Sequence, residues 1–270
     1  MCMFGGSRVT LLKLKVAGTN LYARAHGDAQ YLVYSMNVSA PEPVAMVLPL
    51  PVPPRSGEGA VRFIDLSGYP KFFVDVNEAF PPLYAPAAKS QGSRSSGPLK
   101  TTLRVHAAGE FVASFVPSLD DFDRLDARFR LDAEVWDALP RYADWGFAVF
   151  QLKDLAAPSG WRRLFGLKPK TIHPMAMEFP RRDPSRLFFP TVHVHDGVVH
   201  EHGDFDHNLF WQSDTRDGFF GLVSDVASTT VDVARTQGMV DGAQPFHREV
   251  LFGRRANLDH WLVEGAVRAE

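Results

Sequence analysis

The sequence predicts an α+β fold dominated by β-structure, with antiparallel sheets or a sandwich- or barrel-like core and a few short helices. Three observations carry that expectation. Short runs of β-branched and aromatic residues recur along the chain, turn-forming Gly, Pro, Asn and Asp separate them, and stretches with helical periodicity are brief. With 270 residues, 45% of them hydrophobic, the chain is long enough to bury a substantial core as one large domain or two packed subdomains.

Residues 1–87 read as a β-rich amino-terminal part. Candidate strands at 9–16, 20–25, 31–38 and 44–50 are broken by Gly18, Gly27-Asp28 and the Pro41-Glu42-Pro43 triplet. Pro49, Pro51, Pro53 and Pro54 assign 48–54 to an edge or extended segment, because proline donates no ladder hydrogen bond. A further strand follows at 61–66. The stretch 88–98 is rich in Ser and Gly and reads as a flexible loop, either an insertion or a linker. Residues 99–270 form the carboxy-terminal part. There, 99–107 and 110–116 suggest a hairpin, Ser118 and Asp121 open a short helix to about 128, and a second helix spans 132–139 before Pro140. Strands are expected at 147–152, 172–179, 187–195, 198–202 and 208–212. The spacing of Val226, Thr230 and Val233 predicts a helix over 224–236, and Asn257 caps a terminal helix that presents Leu258, Trp261 and Leu262.

Charge and hydropathy narrow the partners. With 29 Lys+Arg against 31 Asp+Glu, the net charge of −2 gives no global footprint for nucleic acid or an anionic membrane. No apolar run approaches the ~18–20 residues that span a bilayer, and residues 1–8 lack the apolar core of a signal peptide. A cytoplasmic protein acting on a small-molecule substrate is expected, and a homo-oligomer is compatible with this composition. The single cysteine forms no internal disulfide, in keeping with a reducing compartment.

The chemistry-bearing stretch is His193-Val-His195-Asp196-Gly197-Val-Val-His200-Glu-His202. Asp-Gly is a strong two-residue hairpin signal. A turn at Asp196-Gly197 pairs His193 with His200 and puts His193, His195, His200 and His202 on one face, with Val192, Val194 and Val199 on the other. Cross-strand Cβ atoms about 4.5–5.5 Å apart allow several imidazole nitrogens to meet one ion at roughly 2.0–2.1 Å. A three-residue loop would instead send His200 and His202 to the opposite face. The alternatives to a metal site are a solvated or pH-responsive patch and a core histidine network. Asp206 and His207 add a carboxylate and an imidazole that either ligate the ion or orient its ligands, and His202 is a fourth ligand or a proton shuttle. Mixed nitrogen and oxygen donors suit zinc, iron, manganese, nickel or copper, and an open shell of this kind activates water or polarises a substrate oxygen.

The His193-Val-His195 strand followed by Glu201 resembles the metal motif of cupins. That resemblance implies one ion bound inside a barrel by the two histidines and the glutamate. A second resemblance starts from Cys2. Removal of Met1 would expose an α-amine, of unperturbed pKa about 7.7–8.0, beside the thiol as its own base. The start of the chain is thus similar to amide-cleaving N-terminal-cysteine hydrolases, which implies Cys2 as nucleophile, with Arg24 and Asp28 as carboxylate-binding and orienting groups. A third reading is binding without chemistry: residues 161–170, with Arg162 and Arg163 beside Trp161 and Phe165, concentrate cations and aromatics suited to an anion.

Overall fold

The computed structural model describes residues 3–80, 106–108, 111–152, 173–213 and 222–270. Its strands are β1 (Met3–Gly5), β2 (Lys15–His26), β3 (Ala29–Ser39), β4 (Val44–Leu50), β5 (Arg62–Ile64), β6 (His106–Ala108), β7 (Phe111–Val116) and β8 (Gly146–Leu152). They continue with β9 (Met175–Pro180), β10 (Arg186–Phe189), β11 (His202–Gln212), β12 (Leu222–Val226), β13 (Pro245–Ala256), β14 (His260–Val263) and β15 (Ala266–Ala269). Three short α-helices accompany them: α1 (Arg8–Leu11), α2 (Phe72–Glu78) and α3 (Ala133–Asp137). The fold is β-dominated α+β, built on open sheets rather than a closed barrel.

Two large sheets face each other. One has the order β1-β4-β8-β7-β6 and the other β12-β13-β11-β2-β3-β9-β5; a third, β10-β14-β15, is smaller. Their pairing is antiparallel apart from β2 with β11. Strand alternation explains the layers. In β4 every residue is buried, and Val44, Met46, Leu48 and Leu50 enter the core between the large sheets while Ala45 and Val47 face outward. That outward face is covered by α3 and flanking turns carrying Phe122, Phe129 and Leu139. On the far side of the seven-stranded sheet, Tyr22, Val33 and Phe210 pack beneath Phe72, Phe73 and Val76 of α2. Pro49 is tolerated within β4 because β1 pairs only with residues 45–47, so beyond them that edge of β4 has no ladder in which an N–H is missed.

Several local expectations are corrected. Residues 8–11 form α1, capped by the Ser7 hydroxyl accepting from the Thr10 amide, and the strand begins only at Lys15. The helix expected from Ser118 is a pair of 3-10 turns, Leu119–Arg124 and Ala127–Phe129. The helix over 224–236 is instead β12 followed by two further 3-10 turns. The terminal helix is also absent: Trp261 and Leu262 lie in β14 opposite Phe188 and Leu187 of β10. In each case tertiary pairing of apolar residues overrides a weak helical spacing.

Gly146, at the start of β8, shows how closely the strands pack. A Cβ there would overlap the Phe115 ring and approach Val52 Cγ2 to 3.0 Å. Gly146→Ala is therefore expected to lower stability by about 1–3 kcal/mol through overpacking. Gly59→Ala, where nothing lies within 4 Å, serves as the control in urea denaturation.

Candidate functional site

The site is built on the segment between β10 and β11. Leaving β10 at Phe189, the chain runs extended through Thr191, Val192, His193 and Val194, and makes one isolated parallel bridge, Val194 with Met3. Phe4 donates its amide to the Val194 carbonyl at 3.0 Å. Two buried side chains replace the missing strand partner. Asp259 Oδ1 accepts the amides of Thr191 (2.8 Å) and Val192 (3.2 Å), and its Oδ2 accepts the Tyr142 hydroxyl at 2.5 Å. Asn257 Oδ1 accepts the His193 amide at 2.7 Å, while its Nδ2 donates to the carbonyls of both His193 and His200 at 2.9 Å.

That last pair of bonds overturns the expected hairpin. The Asp196-Gly197 turn does form, with Gly197 at φ +81 and Asp196 Oδ1 accepting the Val198 amide, but the two arms never pair. The Asn257 amide stands between the residues that were to face each other. His193 is buried, whereas His200 is exposed and contacts the Asp196 carboxylate through Nε2 at 2.9 Å. His202 is also exposed and opens β11 opposite Ala256. The four-histidine face is therefore divided.

A different cluster takes its place. The rings of His195, His193 and His207 form a column: His193 stacks on His195 at 5.4 Å between centroids and 10° between planes, and on His207 at 5.1 Å and 9°. Phe205 lies against His193 at 4.3 Å, and His260 meets Phe205 edge-on. Gly203 makes room for the middle ring, since a Cβ there would lie 2.8 Å from His193 Nδ1. Burial is the first cause of the electrostatics: it pushes His193 down to about 2 and His195 and His260 down to about 4, and holds His207 far below the usual imidazole range. All four are neutral at pH 7. His207 Nδ1 accepts the Asp206 amide at 3.0 Å, so its proton resides on Nε2 and the 3.5 Å approach of the Asp206 carboxylate is no ion pair. His260 Nδ1 contacts the Thr191 hydroxyl at 2.7 Å. His193 Nε2 and His195 Nε2 are buried and have no hydrogen-bond partner.

The remaining candidates disperse. Asp206 Oδ2 accepts the Gly18 amide at 2.6 Å, which engages that oxygen with the β2 bulge, while Oδ1 lies 3.5 Å from His207 Nδ1. Glu201 is exposed, and no barrel encloses it with His193 and His195 as the cupin resemblance implies. Arg24 directs its guanidinium to the Gly238 and Met239 carbonyls, about 16 Å along β2 from Thr19, the partner of His207, at ~3.3 Å per residue. The backbone carbonyl of Asp28 accepts the Arg181 amide. Cys2 and the cationic stretch 161–170 lie outside the described residues. Among the described residues no group of three or more His, Cys, Asp or Glu side chains is arranged to hold a metal ion, and no helix is long and apolar enough to cross a membrane. His260, Phe205, Asn257 and Asp259 escaped the sequence reading. Asn257-Leu-Asp259-His260, four residues with three polar groups of hydrogen-bonding type, was the available signal.

No protein-family model and no curated protein matches the chain. Among solved structures, the crystal structure of baculovirus P35 is similar at a TM-score of 0.45 and 11% identity, over 96% of this chain and 98% of that one.

Two measurements check this geometry. Asn257→Ala removes three hydrogen bonds and strands buried backbone groups, so it is expected to cost about 3 kcal/mol in urea denaturation; a loss under about 0.5 kcal/mol contradicts the clamp. Unfolded imidazoles take up protons near pH 6.5, but the folded column does not do so until far lower pH. The unfolded chain therefore binds more protons in this window, and metal-free protein loses stability as pH falls from about 6.5 toward 4, by about 1.4 kcal/mol per pH unit for each imidazole. His260→Gln is expected to make that slope shallower by one imidazole's share.

Proposed function

We propose that the chain binds a divalent transition metal at His193 and His195, with the Cys2 thiolate as a third ligand. The observation that carries this reading is the pair of buried Nε2 atoms with no hydrogen-bond partner. A buried polar atom without a protein partner is uncommon and is suited to ligation of an ion. A neutral imidazole is also the state a metal requires, and burial keeps both rings neutral at pH 7. The amino-terminal strand lies beside these histidines. In the parallel Met3–Val194 bridge, alternation assigns Phe4 to the side of His195, and the rings of Phe4 and His195 meet at 5.7 Å. Cys2, one residue before Met3 in sequence, carries the single thiol of the chain. Two imidazoles and a thiolate suit zinc or copper better than hard cations, and three protein ligands leave a position open to water or a substrate oxygen.

Such a centre would lower the pKa of a bound water toward about 7 and so supply hydroxide for hydrolysis of a small substrate. Elemental analysis of untagged, chelator-free protein tests the reading. The wild type and a His200→Ala/His202→Ala variant are expected to retain near-stoichiometric metal, the His193→Ala/His195→Ala variant to lose it, and Cys2→Ser to bind at least tenfold more weakly. Absence of metal after reconstitution with zinc, or its retention by the His193→Ala/His195→Ala variant, would leave the column as a histidine network of the core.

A further inference from the structure

Away from the histidines, Arg248 occupies the middle of β13 and is only 7% exposed. Its Nε and Nη2 are buried and have no hydrogen-bond partner. The Phe80 ring covers the guanidinium, 4.5 Å from centroid to Cζ. A cation removed from water without a counter-charge is strongly unfavourable, and one aromatic face compensates only part of that cost. The two free donors have a particular shape. Nε–H and the Nη2–H beside it point the same way, forming the edge of an arginine that the two oxygens of a carboxylate accept together.

The surroundings continue the pattern. Alternation along β13 places Phe246, Arg248, Val250 and Phe252 on one face, opposite Phe210, Asn208 and Asp206 of β11 for the last three. Phe246 is wholly buried in the core beneath α2, whereas Val250 is 43% exposed and Phe252 75% exposed. One face thus runs from core, through a buried unpaired guanidinium, onto an open apolar shelf.

We propose that this face docks a peptide segment of a partner protein that presents a carboxylate next to a large apolar side chain. The carboxylate forks onto Nε and Nη2 of Arg248 as the Phe80 ring swings aside, and the apolar side chain lies over Val250 and Phe252. Residues i and i+2 of an extended peptide fall on one side about 6.5–7 Å apart, the same interval that separates Arg248 from Val250. This docking face is independent of any metal at His193 and His195.

The test is an NMR titration of the full-length, isotope-labelled protein with N-acetyl-Phe-Gly-Glu-amide and with its Gln counterpart. The Glu peptide is expected to shift the Arg248 Nε–H and the amides of Val250 and Phe252, and to bind at least tenfold more tightly than the Gln peptide. Arg248→Lys keeps the charge without the fork and loses that preference. Arg248→Met keeps the stem without the charge, binds both peptides equally weakly, and unfolds at the same temperature as wild type or higher because an unpaired buried charge has gone. Equal binding of the two peptides, no binding, or an Arg248→Met variant that is less stable or fails to fold would overturn the proposal; the last two would make Arg248 a structural cap on Phe80.

Discussion

Two buried carboxy-terminal side chains act in place of a strand. Asn257 and Asp259 supply acceptors for three successive backbone amides, those of Thr191, Val192 and His193, that no neighbouring strand reaches. Burying an extended segment without such partners would leave those amides stranded. With them, His193 is held in the interior and Val194 is left free to bridge the amino-terminal strand. Asp259 is wholly buried, and burial raises its carboxyl above the usual range while the bonds from Tyr142, Thr191 and Val192 oppose that shift. The site therefore depends on a polar frame set inside an apolar layer.

Within that frame, the imidazoles behave first as aromatic bodies. Their planes stack and Phe205 packs against them, while desolvation keeps them uncharged. Of the nitrogen atoms that find partners, His207 Nδ1 is fixed in tautomer by the backbone amide it accepts, and His260 Nδ1 is held by the Thr191 hydroxyl. Nitrogen atoms that find none mark where the packing is chemically unfinished. Arg248 shows the same condition on the other side of the molecule, with two donors held out of water beneath an aromatic ring. Because most buried polar groups of a folded protein find partners, such places are where function is most reasonably sought.

Much of the fold class was legible because it follows from local pattern. The run 44–50 coincides with β4, and Tyr31 through Val38 lies within β3, since β-branched and aromatic residues bounded by Gly and Pro pair wherever a neighbour is offered. That the region around His193, His195 and His207 is rich in imidazole was also visible in the sequence. Their arrangement was not. A hairpin register is decided by what stands between its arms, and here that is an asparagine 64 residues away from His193 and 57 from His200. Asn257 itself read as a helix cap because its short-range signal is identical in both settings. His260 was hidden for the same reason: a helical spacing of Leu258, Trp261 and Leu262 describes a strand equally well once β10 lies opposite.

The parallel pairing of β2 with β11 has a kinetic consequence. It joins residues such as Asn20 and Asn208, which are 188 positions apart. Closing so long a loop brings an entropic cost before any contact offsets it, and sheets of high contact order form slowly. During synthesis, β2 and β3 emerge as a hairpin whose open edge waits for most of the chain to follow. The column around His207 therefore assembles late, after the carboxy-terminal strands have arrived, and its completion coincides with closure of the whole sheet.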